Sequence, residues 1–154
     1  MLNSLIGTIK KDTLDLIIAD ALEWLIDKFG DNSIELNKVN YTRKSSAIRP
    51  FVFKHELTYV WSYNPKALDW HYYGQWAEYR SAANRIYLHC NKKSTLQFIL
   101  ECLFHEYQHS QQNMFRYVYP TISYINHPLE KEANDFAAEV VPLFWKNYEK
   151  KLVG

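Results

Sequence analysis

Two kinds of residue are scarce in this chain, and each scarcity excludes a class of protein. The 154 residues include only two cysteines, Cys90 and Cys102, which do not form a Cys-x-x-Cys pair. A disulfide framework is therefore not expected, and a reducing cytoplasm fits the chain best. Only four glycines occur, and no repeat, low-complexity tract or Gly/Ser linker divides the sequence. This composition predicts a single domain over residues 1–154.

Long hydrophobic runs and an excess of one charge are also missing. The apolar residues 2–9 are too few and too polar to span a membrane, and lysines follow them, whereas a signal peptide carries its lysines in front. Eighteen Lys and Arg against 17 Asp and Glu leave a net charge of +1. Residues 61–79 are rich in Trp and Tyr, but without a basic stripe such aromatic residues more often fill a core or line a cleft. The sequence predicts no membrane partner and does not favour nucleic-acid binding.

The hydrophobic pattern indicates one long helix followed by strands. Residues 13–29 have apolar side chains on one side and carboxylates on the other, so they predict an amphipathic helix that Asp12 caps and Gly30 ends. The pattern then changes to alternating, aromatic and β-branched residues, which predicts strands at 34–42, 51–54 and 57–63 and a hairpin formed by 76–80 and 85–89.

A second helix is predicted to begin after residues 91–93. Ser94 and Gln97 have the form of a capping box, with Ser94 as the N-cap. The residues from 96 to 104 are apolar nearly all round, which is typical of a helix buried at the centre of a domain.

This buried helix continues into the pattern His-Glu-x-x-His, formed by His105, Glu106 and His109. A spacing of four places the two imidazoles on one face about one turn apart, where both can hold one ion. Glu106 is near enough to accept a proton from a water molecule at that ion. The alternative is a pair of core histidines bonded to backbone carbonyls. We favour a metal, because burying two imidazoles and a carboxylate without a partner costs several kcal/mol.

A catalytic zinc ion needs a third protein ligand. The compact extended motif, with a glycine and a third histidine shortly after His109, is absent, because Gln112 and Phe115 stand in those places. Downstream, Pro128 is suited to the first turn of another helix. With a rotation of about 100° per residue, the apolar side chains of this predicted helix form a stripe that lies closer to Glu130 than to Glu132.

Glu130 is accordingly the predicted third ligand, and two alternatives stay open. Glu132 is the second choice on the same helix, and His127, in the loop expected before that helix, would be mobile enough to replace Glu130. Cys102 shares a face with His105, but three ligands along one straight helix would spread over about 10 Å and could not meet at one ion. Cys102 is therefore predicted to be a packing residue.

These features together resemble one family. A strand ending near His89, the capped His-Glu-x-x-His helix and the pattern Glu-x-x-Ala-Asn-x-Phe-Ala at 130–137 look like the ImmA/IrrE-type metallopeptidases, over roughly residues 85–142. The resemblance implies a gluzincin-like site in which His105, His109 and Glu130 bind zinc and Glu106 is the general base. One departure is Gln108, where the family usually has a small residue.

The resemblance also implies a setting. Members of that family cleave or inactivate repressors in phage, mobile-element and stress-response circuits, so a phage or mobile-element origin is an expectation, whereas the target is not carried over. This chain contains no recognisable helix-turn-helix module.

The sequence thus predicts an α+β fold with a small zincin-like domain. An N-terminal amphipathic helix and a small, mostly antiparallel sheet would pack on the buried His-Glu-x-x-His helix, and a second ligand-bearing helix would follow. The predicted function is a cytoplasmic zinc metallopeptidase acting on a protein or peptide. The alternative is a protein that uses zinc structurally and holds a partner without cutting it.

Overall fold

The computed structural model describes residues 1–33, 57–64, 77–80, 84–91, 93–112 and 128–153. A short 3-10 turn at Ile6–Thr8 precedes three helices and three strands. In chain order these are α1 (Lys11–Phe29), β1 (Thr58–Asn64), β2 (Ala77–Arg80), β3 (Arg85–Asn91), α2 (Leu96–Gln111) and α3 (Pro128–Val153). The predicted α+β class is confirmed.

The three strands form a mixed sheet in the order β1-β3-β2. The predicted hairpin is confirmed, since β2 pairs antiparallel with β3 and places Arg80 opposite Arg85. The expectation of a mostly antiparallel sheet is corrected, because the longer ladder, between β1 and β3, is parallel, with Thr58 opposite Arg85. The reason is the strand order: β3 is the central strand, with β1 and β2 on its two sides. β1 therefore pairs with β3, which runs in the same direction as β1, and not with the antiparallel strand β2.

The strand predicted at 57–63 is confirmed as β1, whereas the strands predicted at 34–42 and 51–54 lie outside the described residues. The hairpin reaches β3 through Asn84, whose φ of 48° is in the left-handed region. Asparagine tolerates this conformation better than most residues. Its buried side chain accepts a 2.6 Å hydrogen bond from the Tyr79 hydroxyl, which ties the turn to β2.

Helix α2 begins one residue later than predicted. The N-cap is Thr95, whose hydroxyl accepts a hydrogen bond from the Phe98 N–H at 3.1 Å, and not Ser94. The first two N–H groups of the helix donate instead to carbonyls of the N-terminal segment, Leu96 to Ser4 at 3.0 Å and Gln97 to Leu2 at 2.9 Å. The chain terminus thus supplies the acceptors that a capping box would have supplied.

Helix α1, in contrast, starts earlier than predicted, at Lys11, and its N-cap Lys10 makes no side-chain hydrogen bond. Asp12 therefore lies in the first turn, where its negative charge interacts favourably with the helix dipole. The predicted end at Gly30 is confirmed, with a φ of 90° that suits glycine.

Helix α2 lies at the centre of the described structure, in contact with α1, α3, β2 and β3. Its side chains Leu96, Ile99, Leu100, Leu103, Phe104 and Tyr107 are fully buried. An aromatic cluster joins the three helices, with ring centroids of Trp24 and Phe104 at 6.2 Å and of Trp24 and Phe144 at 5.5 Å. A helix enclosed in this way holds its polar residues in a fixed place.

Two expectations about organisation have different outcomes. Within the described ranges, none of the helices is long and apolar enough to cross a membrane. The single domain over residues 1–154 stays a prediction.

Removal of one buried hydroxyl should weaken the contact between α2 and the end of α1. Tyr107 is fully buried, and its hydroxyl donates to the carbonyl of Gly30. We expect Tyr107→Phe to lower the free energy of unfolding by about 1–2 kcal/mol, because the part-buried carbonyl of Gly30 loses its donor. Urea unfolding of the metal-free protein measures this. The control is Tyr148→Phe, which removes an exposed bond to Asp20 and should change stability by less than about 0.5 kcal/mol; equal losses would contradict the argument.

Candidate metal centre

The two histidines of α2 face each other at one end of the helix. The Nε2 atoms of His105 and His109 are 3.1 Å apart, and the rings stand almost perpendicular, at 85°, with centroids separated by 4.6 Å. Their side chains are only 15% and 11% exposed. The helical spacing of four residues therefore brings the two imidazoles together as expected.

Helix α3 adds a carboxylate to this pair. Glu130 lies in the first turn of α3, where a negative charge is favoured by the helix dipole. Its Oε1 is 2.8 Å from Nε2 of His105, and its Oε2 is 3.0 Å from Nε2 of His109. The carboxylate thus touches both imidazoles, and the three side chains, from two helices, meet at one place.

The donor set fits a divalent metal ion. Two imidazole nitrogens and a carboxylate oxygen are acceptors unless a proton is present, and acceptors at about 3 Å repel one another without a cation or a proton between them. Burial lowers the pKa of His105, and the neighbouring His109 lowers it further, while Glu130 acts in the opposite direction. The neutral imidazole that burial favours is the form that binds a metal. The site is therefore a candidate metal-binding group of histidine and glutamate.

Glu106 lies beside this group and is almost completely buried, with 6% exposure. Its carboxylate and the two imidazoles place their potential ligand atoms within 4.8 Å of one another. Burial raises the pKa of Glu106 to about 8, and the negative charges of Glu130 and Glu78 add to this rise. A hydrogen bond from the backbone N–H of Tyr79 acts in the opposite direction. Glu106 is therefore a stronger base than an ordinary glutamate.

The alternative ligands are placed differently. Glu132 is exposed, and its Oε1 accepts hydrogen bonds from the side-chain amides of Gln108 at 2.7 Å and Gln112 at 3.2 Å. His127 lies outside the described residues. Cys102 is half-buried and packs against the hydrophobic core. The choice of Glu130 as the third ligand stays a prediction, and Glu130 is the glutamate that the structure brings to both imidazoles.

Two amide side chains support the histidines, and the sequence reasoning missed both. Asn134 hydrogen-bonds to His105, and this contact favours the protonated ring. Gln112 lies 2.7 Å from Nδ1 of His109 through its Oε1. Asn134 had a signal in the sequence, since it follows Glu130 by four residues and so shares its helical face. Gln112 follows His109 by three residues, but its other partners belong to α3 and gave no local signal.

No protein-family model, no curated protein and no solved structure matches the chain. The resemblance to the ImmA/IrrE-type metallopeptidases therefore rests on the motif residues alone. What the structure establishes is a group with His-Glu-x-x-His spacing on a central helix, with Glu130 of the next helix beside it.

Proposed function

We propose that this protein is a zinc-dependent metallopeptidase. In this proposal His105, His109 and Glu130 hold the ion, and Glu106 is the general base. The observation that carries the proposal is the position of the Glu130 carboxylate, which reaches both imidazoles at 2.8 and 3.0 Å from a different helix. Two histidines from one helix and a glutamate from another form a ligand set that catalytic zinc sites use.

The spacing of the three side chains supports zinc. Ligand atoms bound tetrahedrally at 2.0–2.1 Å lie about 3.3 Å apart, and the separations among the three side chains are 2.8, 3.0 and 3.1 Å. Small rotations of the side chains would therefore admit the ion. Three protein ligands also leave a fourth tetrahedral position for water or substrate, which distinguishes a catalytic zinc site from a structural one.

The chemistry divides between the ion and the chain. When bound, zinc polarises the scissile carbonyl and lowers the pKa of a water molecule toward about 7. Glu106 accepts the proton of the attacking water and passes it to the leaving amine. In the metal-free chain burial raises the pKa of Glu106 to about 8. The positive charge of a bound ion would oppose that rise and favour the carboxylate, which is the form that accepts a proton.

A peptide substrate is supported by the position of β2. The backbone N–H of Tyr79 donates to Glu106, so this strand lies directly beside the proposed base. Among the described strands, β2 pairs only with β3, on one of its two edges. An edge strand can bind an extended peptide by main-chain hydrogen bonds. A peptide held along β2 would lie close to Glu106. Location in the cytoplasm belongs to the same proposal.

Metal content and cleavage, measured together, test the function. We expect the purified protein to hold one zinc ion per chain by elemental analysis and to cleave members of a fluorogenic peptide library. Dialysis against a chelator should abolish cleavage, and added zinc should restore it, since the ion supplies the electrostatic part of catalysis. Cleavage that survives zinc removal would contradict the proposal. Zinc binding without cleavage of any peptide would favour the partner-binding alternative.

A further inference from the structure

The side chain of Gln112, just past the end of α2, is 6% exposed and has a partner for each of its polar atoms. Its Oε1 lies 2.7 Å from Nδ1 of His109. Its Nε2 donates to the backbone carbonyl of Leu129 at 3.0 Å and to Oε1 of Glu132 at 3.2 Å. One amide therefore connects a histidine of α2 with two residues in the first turns of α3.

These contacts fix which way the amide faces. The carbonyl of Leu129 and the carboxylate of Glu132 are both acceptors, so the amide nitrogen must face them. A flipped amide would place its oxygen against two other oxygens and leave its N–H groups toward His109. The amide oxygen therefore faces the imidazole, and it can only accept a hydrogen bond.

The direction of the amide in turn selects the form of His109. A hydrogen bond to the Gln112 oxygen requires a proton on Nδ1. In the neutral ring this leaves the lone pair on Nε2, the atom that points toward His105 and Glu130 at 3.1 and 3.0 Å. Metal-binding histidines commonly hold their ring in this way, by donating from the second nitrogen to an oxygen.

We propose that Gln112 is a positioning residue that fixes the tautomer and the ring orientation of His109 for metal binding. The inference rests on the proposed zinc site. Gln112 does not touch the place where the ion would lie; it acts through the imidazole and holds that imidazole against α3, which carries Glu130.

Gln108 provides a matched control within the same cluster. Its Nε2 donates to the same Oε1 of Glu132, at 2.7 Å. Gln108 is also the residue before His109 on α2. Gln108→Met removes an amide from Glu132 and leaves the bond between Gln112 and His109 intact. Gln112→Met removes that bond at nearly constant side-chain length.

The first measurement is the zinc dissociation constant, obtained by competition with a chromophoric chelator. We expect Gln112→Met to raise it roughly 10–100-fold, the usual effect of losing a residue that orients a ligand. Gln108→Met should change it by less than about threefold, as expected for a substitution outside such a contact. Equal affinities for the parent and Gln112→Met would overturn the inference.

The second measurement is the side-chain ¹H–¹⁵N NMR spectrum of His109, in both the metal-free and the zinc-loaded protein. We expect a proton on Nδ1, protected from exchange, in the parent and in Gln108→Met, and loss of that protection in Gln112→Met. An unprotonated Nδ1 in the parent would overturn the inference. If the parent binds no zinc, the proposed function fails, while the spectrum of the metal-free protein still decides the role of Gln112.

A third variant separates positioning from simple packing. Gln112→Glu keeps an oxygen for His109, but it repels Glu132 and has no proton for the carbonyl of Leu129. A positioning role predicts zinc affinity closer to the parent than that of Gln112→Met, together with a lower free energy of unfolding than that of Gln112→Met. If zinc affinity instead follows the free energy of unfolding across the parent, Gln112→Met and Gln112→Glu, then Gln112 is a packing residue and the inference is wrong.

Discussion

Replacement of Glu106 by glutamine is expected to lower kcat for peptide cleavage by about 10²–10⁴-fold, the contribution of a positioned general base, while zinc stays bound. Glutamine has the shape of glutamate and can still accept the hydrogen bond from the Tyr79 N–H. It cannot accept a proton from water. The loss should therefore appear in kcat with the zinc content near one ion per chain, measured by peptide hydrolysis and elemental analysis on the same sample.

A matched control accompanies this variant. Glu139→Gln makes the same chemical change at an exposed position of α3 and should leave kcat unchanged. Parent-like cleavage by a zinc-loaded Glu106→Gln chain would show that Glu106 is not the base.

Stability gives an independent check that Glu106→Gln is folded. In the metal-free parent, burial raises the pKa of Glu106 from 4.5 to about 8. Between these values the unfolded chain has released the proton and the folded chain keeps it, so this residue's contribution to stability falls as pH rises from about 4.5 to about 8. Glutamine does not titrate. The metal-free variant should therefore be at least as stable as the parent at pH 8, measured by urea unfolding.

The local part of the structure could be predicted from the sequence because it depends on helical geometry. A run of apolar residues before His105 required burial on all sides, and α2 is indeed the central helix. The phase of the following helix predicted that Glu130, rather than Glu132, faces inward. In the structure Glu130 is 8% exposed and Glu132 is exposed. Both inferences use neighbours within one or two turns.

The features that could not be predicted depend on partners far away in the chain. β1 pairs in parallel with β3 because β3, and not β2, is the central strand of the sheet. No local pattern in the sequence encodes that strand order. The shift of the N-cap from Ser94 to Thr95 depends on carbonyls close to residue 1. The role of Gln112 could not be predicted for the same reason, because it requires the carbonyl of Leu129, seventeen residues later.

Removal of the Glu130 carboxylate is expected to weaken zinc binding by more than about 100-fold, beyond the effect of losing a residue that only orients a ligand. Glu130→Ala leaves two neutral imidazoles, which supply no negative charge and too few ligands for a stable site. The zinc dissociation constant by chelator competition measures this, and cleavage should disappear at zinc concentrations that saturate the parent.

The comparison with Glu132→Ala makes the assignment of the third ligand decisive. Glu132 is two residues from Glu130 on the same helix, but its carboxylate is bound by the amides of Gln108 and Gln112 and not by the imidazoles. Its removal disturbs Gln112 only indirectly and therefore should weaken zinc binding by at most about tenfold, the lower end of the range for losing a residue that orients a ligand. If Glu132→Ala loses zinc and Glu130→Ala keeps it, the ligand is Glu132. The 2.8 and 3.0 Å contacts of Glu130 would then be hydrogen bonds to protonated histidines.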